Sequence, residues 1–207
     1  ANLSGGWLFN VETADGQMID RATAAQRAAL EPLVEVLQHK GDSECRLASG
    51  PTADELCGFE KLPFARMDEQ SLSLLWTPPP PRSFVREALG EGLAQAARLG
   101  VNPFKFGLIA STDTHLGTPG LVEEADFLGH AAGGDTAALA VPDMPDAIEF
   151  NPGGLAVVWA EENSRDALFE AMRRREVYGT SGTRPVVRFF GGWRYPAALC
   201  DSPTFVA

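Results

Sequence analysis

The residues of this chain best suited to chemistry are Asp113 and His115, at the close of the run Phe106-Gly107-Leu108-Ile109-Ala110-Ser111-Thr112-Asp113-Thr114-His115. The apolar stretch reads as a buried strand ending at Thr112. A carboxylate and an imidazole at its carboxyl end sit where α/β barrels keep their reactive groups. Side chains two apart on a strand share a face, so Asp113 and His115 can close on one ion. A hard oxygen beside a borderline nitrogen suits Zn²⁺, Mn²⁺ or Fe²⁺. By spacing alone a plainer reading stands first, with Asp113 capping a turn and His115 hydrogen-bonded at the start of a loop.

Other polar residues weigh less. His39 follows an apolar strand and could reach the same site from its end, but beside Lys40 it reads as a solvated loop residue and is left out of the site. His130 lies in an acidic loop with Glu123, Glu124 and Asp126, and is read as holding that loop by a hydrogen bond. Glu35, inside a buried strand, reads as a paired carboxylate, with a supporting or substrate role as the alternative for it and for Glu44. Arg184 could take an anionic substrate bidentately, and a structural ion pair suits it as well. Phe189, Phe190 and Trp193 read as core rather than as a ligand stack.

Those residues need elements to hold them. Residues 22–30 are Ala-rich and helix-prone, and residues 33–37 read as a short buried strand. Ser83 is placed as the cap of a helix running to Leu99, with Val85, Leu89, Leu93 and Ala96 on its inner face and Gly100 as its stop. Residues 155–160 form the next strand, and Asn163 opens a helix with Ala167, Leu168, Ala171 and Met172 inward. Residues 185–193 read as an edge strand turning at a Gly pair. Two long Pro/Gly-marked connections intervene, at 40–81, which carries Phe59, Phe64, Trp76 and four consecutive prolines, and at 116–152. The alternation is α/β, favouring parallel pairing in a barrel or open sheet over a sandwich.

Composition removes several classes of function. With 17 Lys plus Arg against 28 Asp plus Glu, the formal charge of −11 repels phosphate backbones and anionic lipid, so neither nucleic acid nor a membrane is an expected partner. At 207 residues, 44% of them hydrophobic, the chain can bury a substantial core. No apolar stretch has the length of a membrane span. Three cysteines make no zinc spacing. Cys45 and Cys57 flank a polar loop that a bridge would tie for about 3 kcal/mol at best, and two reduced thiols fit equally well. A bridge would lean the location toward the periplasm or cell exterior.

Several separated segments together resemble a known family. They are Lys40-Gly41-Asp42-Ser43-Glu44, Asn102-Pro103-Phe104-Lys105-Phe106-Gly107 leading to Ser111-Thr112-Asp113-Thr114-His115, Trp159-Ala160-Glu161-Glu162-Asn163, and Tyr178-Gly179-Thr180-Ser181-Gly182 with Phe189-Phe190-Gly191-Gly192-Trp193. This set resembles a bacterial family classed as a domain of unknown function, itself similar to the polymerase-and-histidinol-phosphatase (PHP) superfamily of metal-dependent phosphoesterases. The resemblance implies the carboxyl-terminal part of a distorted seven-stranded β/α barrel with long loops, over residues 1–184, followed by a strand and tail over 185–207. It implies Asp113 and His115 as ligands of divalent ions (Zn, Mn or Fe), Asp-x-His being the last ligand motif of such proteins. The preceding His of the pattern would fall just before Asn2, where Ala1 stands, so the expectation is a fragment completed by an upstream segment or another copy of the chain. The implied activity is hydrolysis of a phosphoester or other small-molecule substrate by metal-activated water. The alternative is a non-catalytic binding or assembly module that keeps the fold.

Overall fold

In this computed structural model the residues described are 7–39, 41–45, 54, 57, 82–114, 117–123, 152–196 and 198–201. The chain forms α1 (Arg21–Leu30), β1 (Leu33–Gln38), β2 (Gly41–Asp42), α2 (Val85–Leu99), β3 (Gly107–Ala110), β4 (Leu155–Val158), α3 (Arg165–Arg174) and β5 (Val177–Thr180), with 3-10 turns at Trp7–Phe9 and Leu199–Asp201. The architecture is mixed α/β, and its two small sheets close no barrel among the described residues. No helix among them is long and apolar enough to cross a membrane. Phe59, Phe64, Trp76 and the proline run lie outside the described residues, as does most of the second long connection.

β1 and β3 pair in parallel, Leu33 opposite Gly107 and Leu37 opposite Ala110. α2 lies in the long crossover that a parallel return requires. The expected parallel pairing does not extend further. β2 folds back antiparallel on β1, and β4 pairs antiparallel with β5, Leu155 opposite Thr180. β5 nevertheless runs beside β3 in the same direction. A Cβ on Gly107 would stand 2.8 Å from Val177 Cγ2, and one on Gly179 would stand 2.8 Å from Ala110 N. Glycine at both positions lets the strands approach this closely.

The helix ends show what local pattern reading misplaced. The N-cap of α2 is Phe84 rather than Ser83, and no side chain caps it. Its first amides are taken by backbone instead, Val85 N donating to Ser43 O at 2.9 Å and Arg86 N to Glu44 O at 2.8 Å. Cys45, next to those carbonyls, is disulfide-bonded to Cys57 with the Cα atoms 5.5 Å apart. Ser164, not Asn163, caps α3 by accepting from Ala167 N. Gly100 ends α2 in the left-handed region, as expected.

The inner face of α2 keeps Val85 and the partly buried Leu89 and Ala96 of the expected set but loses Leu93. Val85, Ala88, Gly92 and Gln95 are buried, while Leu93 is exposed. Small residues face inward because the helix sits close to the chain that follows it, a Cβ on Gly92 falling 3.0 Å from Phe104 Cβ. The core beneath joins Phe9, Val11, Ile19, Ala24, Val34, Phe84, Val85, Ala88 and Phe104. Phe9 and Phe104 meet edge to face at 6.0 Å between centroids. Arg27 stacks over Phe104 at 4.8 Å and donates to Asn10 O and Leu8 O, fastening the amino-terminal segment to α1.

Residues 185–193 contain no strand, and the strand expected over 155–160 stops at Val158. Trp159 Nε1 donates to Val187 O at 3.1 Å, while Tyr178 OH donates to Pro185 O and accepts from Val187 N. These side-chain bonds, rather than a ladder, hold the segment. Beyond them Phe189 is 91% exposed and Trp193 fully exposed, with Phe190 half exposed, so the expected aromatic core is instead a projecting surface.

Candidate metal centre

β1, β3 and β5 run in one direction, and their carboxyl ends come together. β3 stops at Ala110, two residues earlier than expected, and Ser111 N continues the contact by donating to Leu37 O at 3.0 Å. Gly154 N then donates to Ser111 O at 2.8 Å, bringing in the chain that enters β4. Gly153 has φ +82°, and a Cβ there would stand 2.5 Å from Ser111 O, 2.8 Å from Thr112 Cα and 3.1 Å from His39 N. Only a residue without a side chain fits so close a crossing of three backbones.

Asp113 sits on the turn that leaves this crossing, with φ +54°. Asp tolerates that left-handed geometry better than most residues. The chain has left the strand before Asp113, so the shared-face argument for Asp113 and His115 no longer applies, and His115 lies outside the described residues. The structure brings a different partner to Asp113. His39 Nε2 is 3.1 Å from Asp113 Oδ2. The His39 side chain is 1% exposed against 29% for Asp113, so His39 is a buried residue and not the solvated one expected beside Lys40.

The separation of these donors suits either of two arrangements. It is a normal hydrogen-bond length. Two ligand atoms each about 2.0–2.2 Å from one octahedral ion also stand about 2.8–3.1 Å apart, and about 3.3–3.6 Å apart on a tetrahedral ion. A carboxylate 29% exposed in front of a buried imidazole offers a hard oxygen to a divalent cation on its open side, so Asp113 fits the implied group. Among the described residues no three His, Cys, Asp or Glu side chains gather as a complete metal site.

The other carboxylates weighed in the sequence have partners of their own. Glu35 accepts a hydrogen bond from Ser111 Oγ, the paired state expected for it, and takes a second from Gln38 Nε2 at 3.4 Å. Glu44 and Asp54 both accept from Arg86, and these bonds raise the Arg86 pKa above its usual range. Arg184 Nη1 lies 3.6 Å from Glu123 Oε1, with both side chains 65% exposed. His130 lies outside the described residues. A groove of about 1080 Å³ runs along β5 past Trp159, Tyr178 and Arg188, but neither His39 nor Asp113 lines it. The groove lies between β5 and residues 185–190, away from the strand ends where His39 meets Asp113.

Over residues 1–207 the sequence matches the family described as Protein of unknown function (DUF3604). The chain belongs to that family. No curated protein matches it, and no solved structure does. In this DUF3604 chain, His39 is the residue in contact with Asp113 that sequence reasoning set aside. The available signal was its place at the carboxyl end of β1, which its charged neighbour outweighed.

Proposed function

We propose that this DUF3604 chain carries part of the metal site of a PHP-like hydrolase that cleaves phosphoesters. The observation that carries the reading is the approach of His39 Nε2 to Asp113 Oδ2, 3.1 Å apart, where three strands of common direction end. Within it, β1, β3 and β5 are an arc of a β/α barrel wall, consistent with α2 lying between β1 and β3. Asp113 and His115 hold the divalent ion. When bound, that ion supplies a water of lowered pKa and offsets charge on the phosphoryl oxygens.

The protein's own residues do the rest. Gly153 closes the backbone over the strand ends and keeps them in register with the Asp113 turn. Arg184 binds the anionic part of the substrate by exchanging Glu123 for a phosphoryl oxygen. So exposed an ion pair contributes little, and the exchange costs little.

The test compares the wild type with Asp113→Ala and His115→Ala after equilibration with Zn²⁺, Mn²⁺ or Fe²⁺. Bound metal is measured by elemental analysis, and turnover with p-nitrophenyl phosphate and bis-p-nitrophenyl phosphate. Both substitutions are expected to lower metal content and turnover together. Unchanged metal content in either variant, or turnover that survives removal of metal, overturns the reading.

A further inference from the structure

We propose that His39 is a positioning residue whose Nε2–H fixes the Asp113 carboxylate for metal binding. The inference rests on the metal-site reading above and assigns a role within it to a residue that the Asp-x-His motif does not contain. An ionised carboxylate only accepts hydrogen bonds, so in the proposed arrangement Nε2 carries the proton and donates across the 3.1 Å contact. The burial of the pair sets the order of the two groups. His39, 1% exposed, lies behind Asp113, 29% exposed, and an ion arriving from solvent meets the carboxylate first. A carboxylate has two oxygens and about four acceptor positions, so a bond from the interior and a cation on the open side can share it.

The backbone explains why such a brace is useful. Asp113 stands on a left-handed turn three residues past the end of β3, where no ladder holds it. His39 stands one residue past β1, wedged where Gly153 crosses, and is completely buried. A hydrogen bond from that fixed point orients one oxygen of the Asp113 carboxylate from the buried side. Ligating carboxylates braced in this way bind metal more tightly, and losing the brace costs about 10- to 100-fold in affinity.

The experiment uses the full chain with His39→Ala, His39→Gln and Asp113→Ala. Zn²⁺ affinity is measured by competition with a chromogenic chelator, folding by circular dichroism, and the His39 tautomer by ¹⁵N NMR on the metal-free wild type. The NMR should show protonated Nε2. His39→Ala should weaken Zn²⁺ binding by about 10- to 100-fold, and His39→Gln, whose amide places an N–H near Nε2, should restore most of it. Equal weakening in His39→Gln and His39→Ala overturns the proposal, because a ligand or a simple core residue would not be rescued by an amide. Loss of metal in Asp113→Ala with none in His39→Ala overturns this inference alone. Equal metal binding by wild type and Asp113→Ala overturns the metal-site reading and this inference with it. If His39→Ala does not fold, the Gln variant and the tautomer decide, and an unprotonated Nε2 in the metal-free wild type overturns the proposal.

Discussion

The Ser111 hydroxyl donates to the Glu35 carboxylate, joining the middle of β1 to the first residue after β3. This bond holds the start of the turn that presents Asp113, from a strand 76 residues earlier. Ser111→Ala removes a donor from a half-buried carboxylate. We expect a loss of about 1.5–3 kcal/mol in a urea unfolding titration, the range for hydrogen bonds to charged groups. Ser111→Thr keeps the hydroxyl and should recover most of the loss. An alanine variant with an unchanged midpoint would show that the bond contributes nothing.

Gly153 should tolerate no side chain. Alanine there meets Ser111 O at 2.5 Å and Thr112 Cα at 2.8 Å, both backbone atoms that cannot swing aside, and adopts a left-handed φ of +82°. Gly153→Ala is expected to cost more than about 3 kcal/mol, adding overpacking to left-handed strain. The check is the denaturant midpoint, with Gly16→Ala as the comparison, since Gly16 has φ +78° but open space around it. Equal losses at the two positions would mean that backbone conformation alone matters.

Reduction of Cys45–Cys57 should destabilise the protein by about 3 kcal/mol, the chain-entropy figure for a loop of this length. The first amides of α2 bond to Ser43 O and Glu44 O beside the bridge, so hydrogen exchange at Val85 and Arg86 should quicken before that at Leu99. Non-reducing mass spectrometry should find the linked peptide. Two freely alkylated thiols in protein purified without reductant would refute the bridge.

Asp20 caps α1 by accepting from Thr23 N, and that bond lowers its pKa from the ordinary value. Because the folded pKa is depressed, the unfolded chain binds the proton more readily. The cap's contribution is therefore present above the unfolded pKa of about 3.9 and is lost as pH falls through the lower folded value. Melting temperatures of wild type and Asp20→Ala should differ at pH 6 and converge toward pH 3. Asp20→Asn keeps an accepting oxygen without the charge, so its advantage over Asp20→Ala should persist across that range. A wild-type advantage that does not shrink on acidification would contradict the assignment.

Much of the local structure was legible in the chain. The apolar runs of β1 and β3, the Ala-rich helix α1, the amphipathic helices α2 and α3, and the left-handed stop at Gly100 depend on residues within a few positions of one another. Asp113 too could be singled out from its motif. What failed locally depended on distant chain. Counting leucines put Leu93 inside α2, but the approach of Phe104 put Ala88 and Gly92 there. Hydrophobicity alone could not say whether Phe189 and Trp193 had anything to pack against, and among the described residues they project. His39 beside Lys40 looked solvated because charge is a property of neighbours in sequence. Its burial is a property of neighbours in space, set by the Thr112–Asp113 turn and by Gly153 crossing over it, more than 70 residues away. Composition and period select the elements because backbone hydrogen bonding and side-chain direction act over one or two turns of chain. Which residues of separate elements meet is decided only when those elements pack, because burial and close approach are paid for by the whole tertiary structure at once.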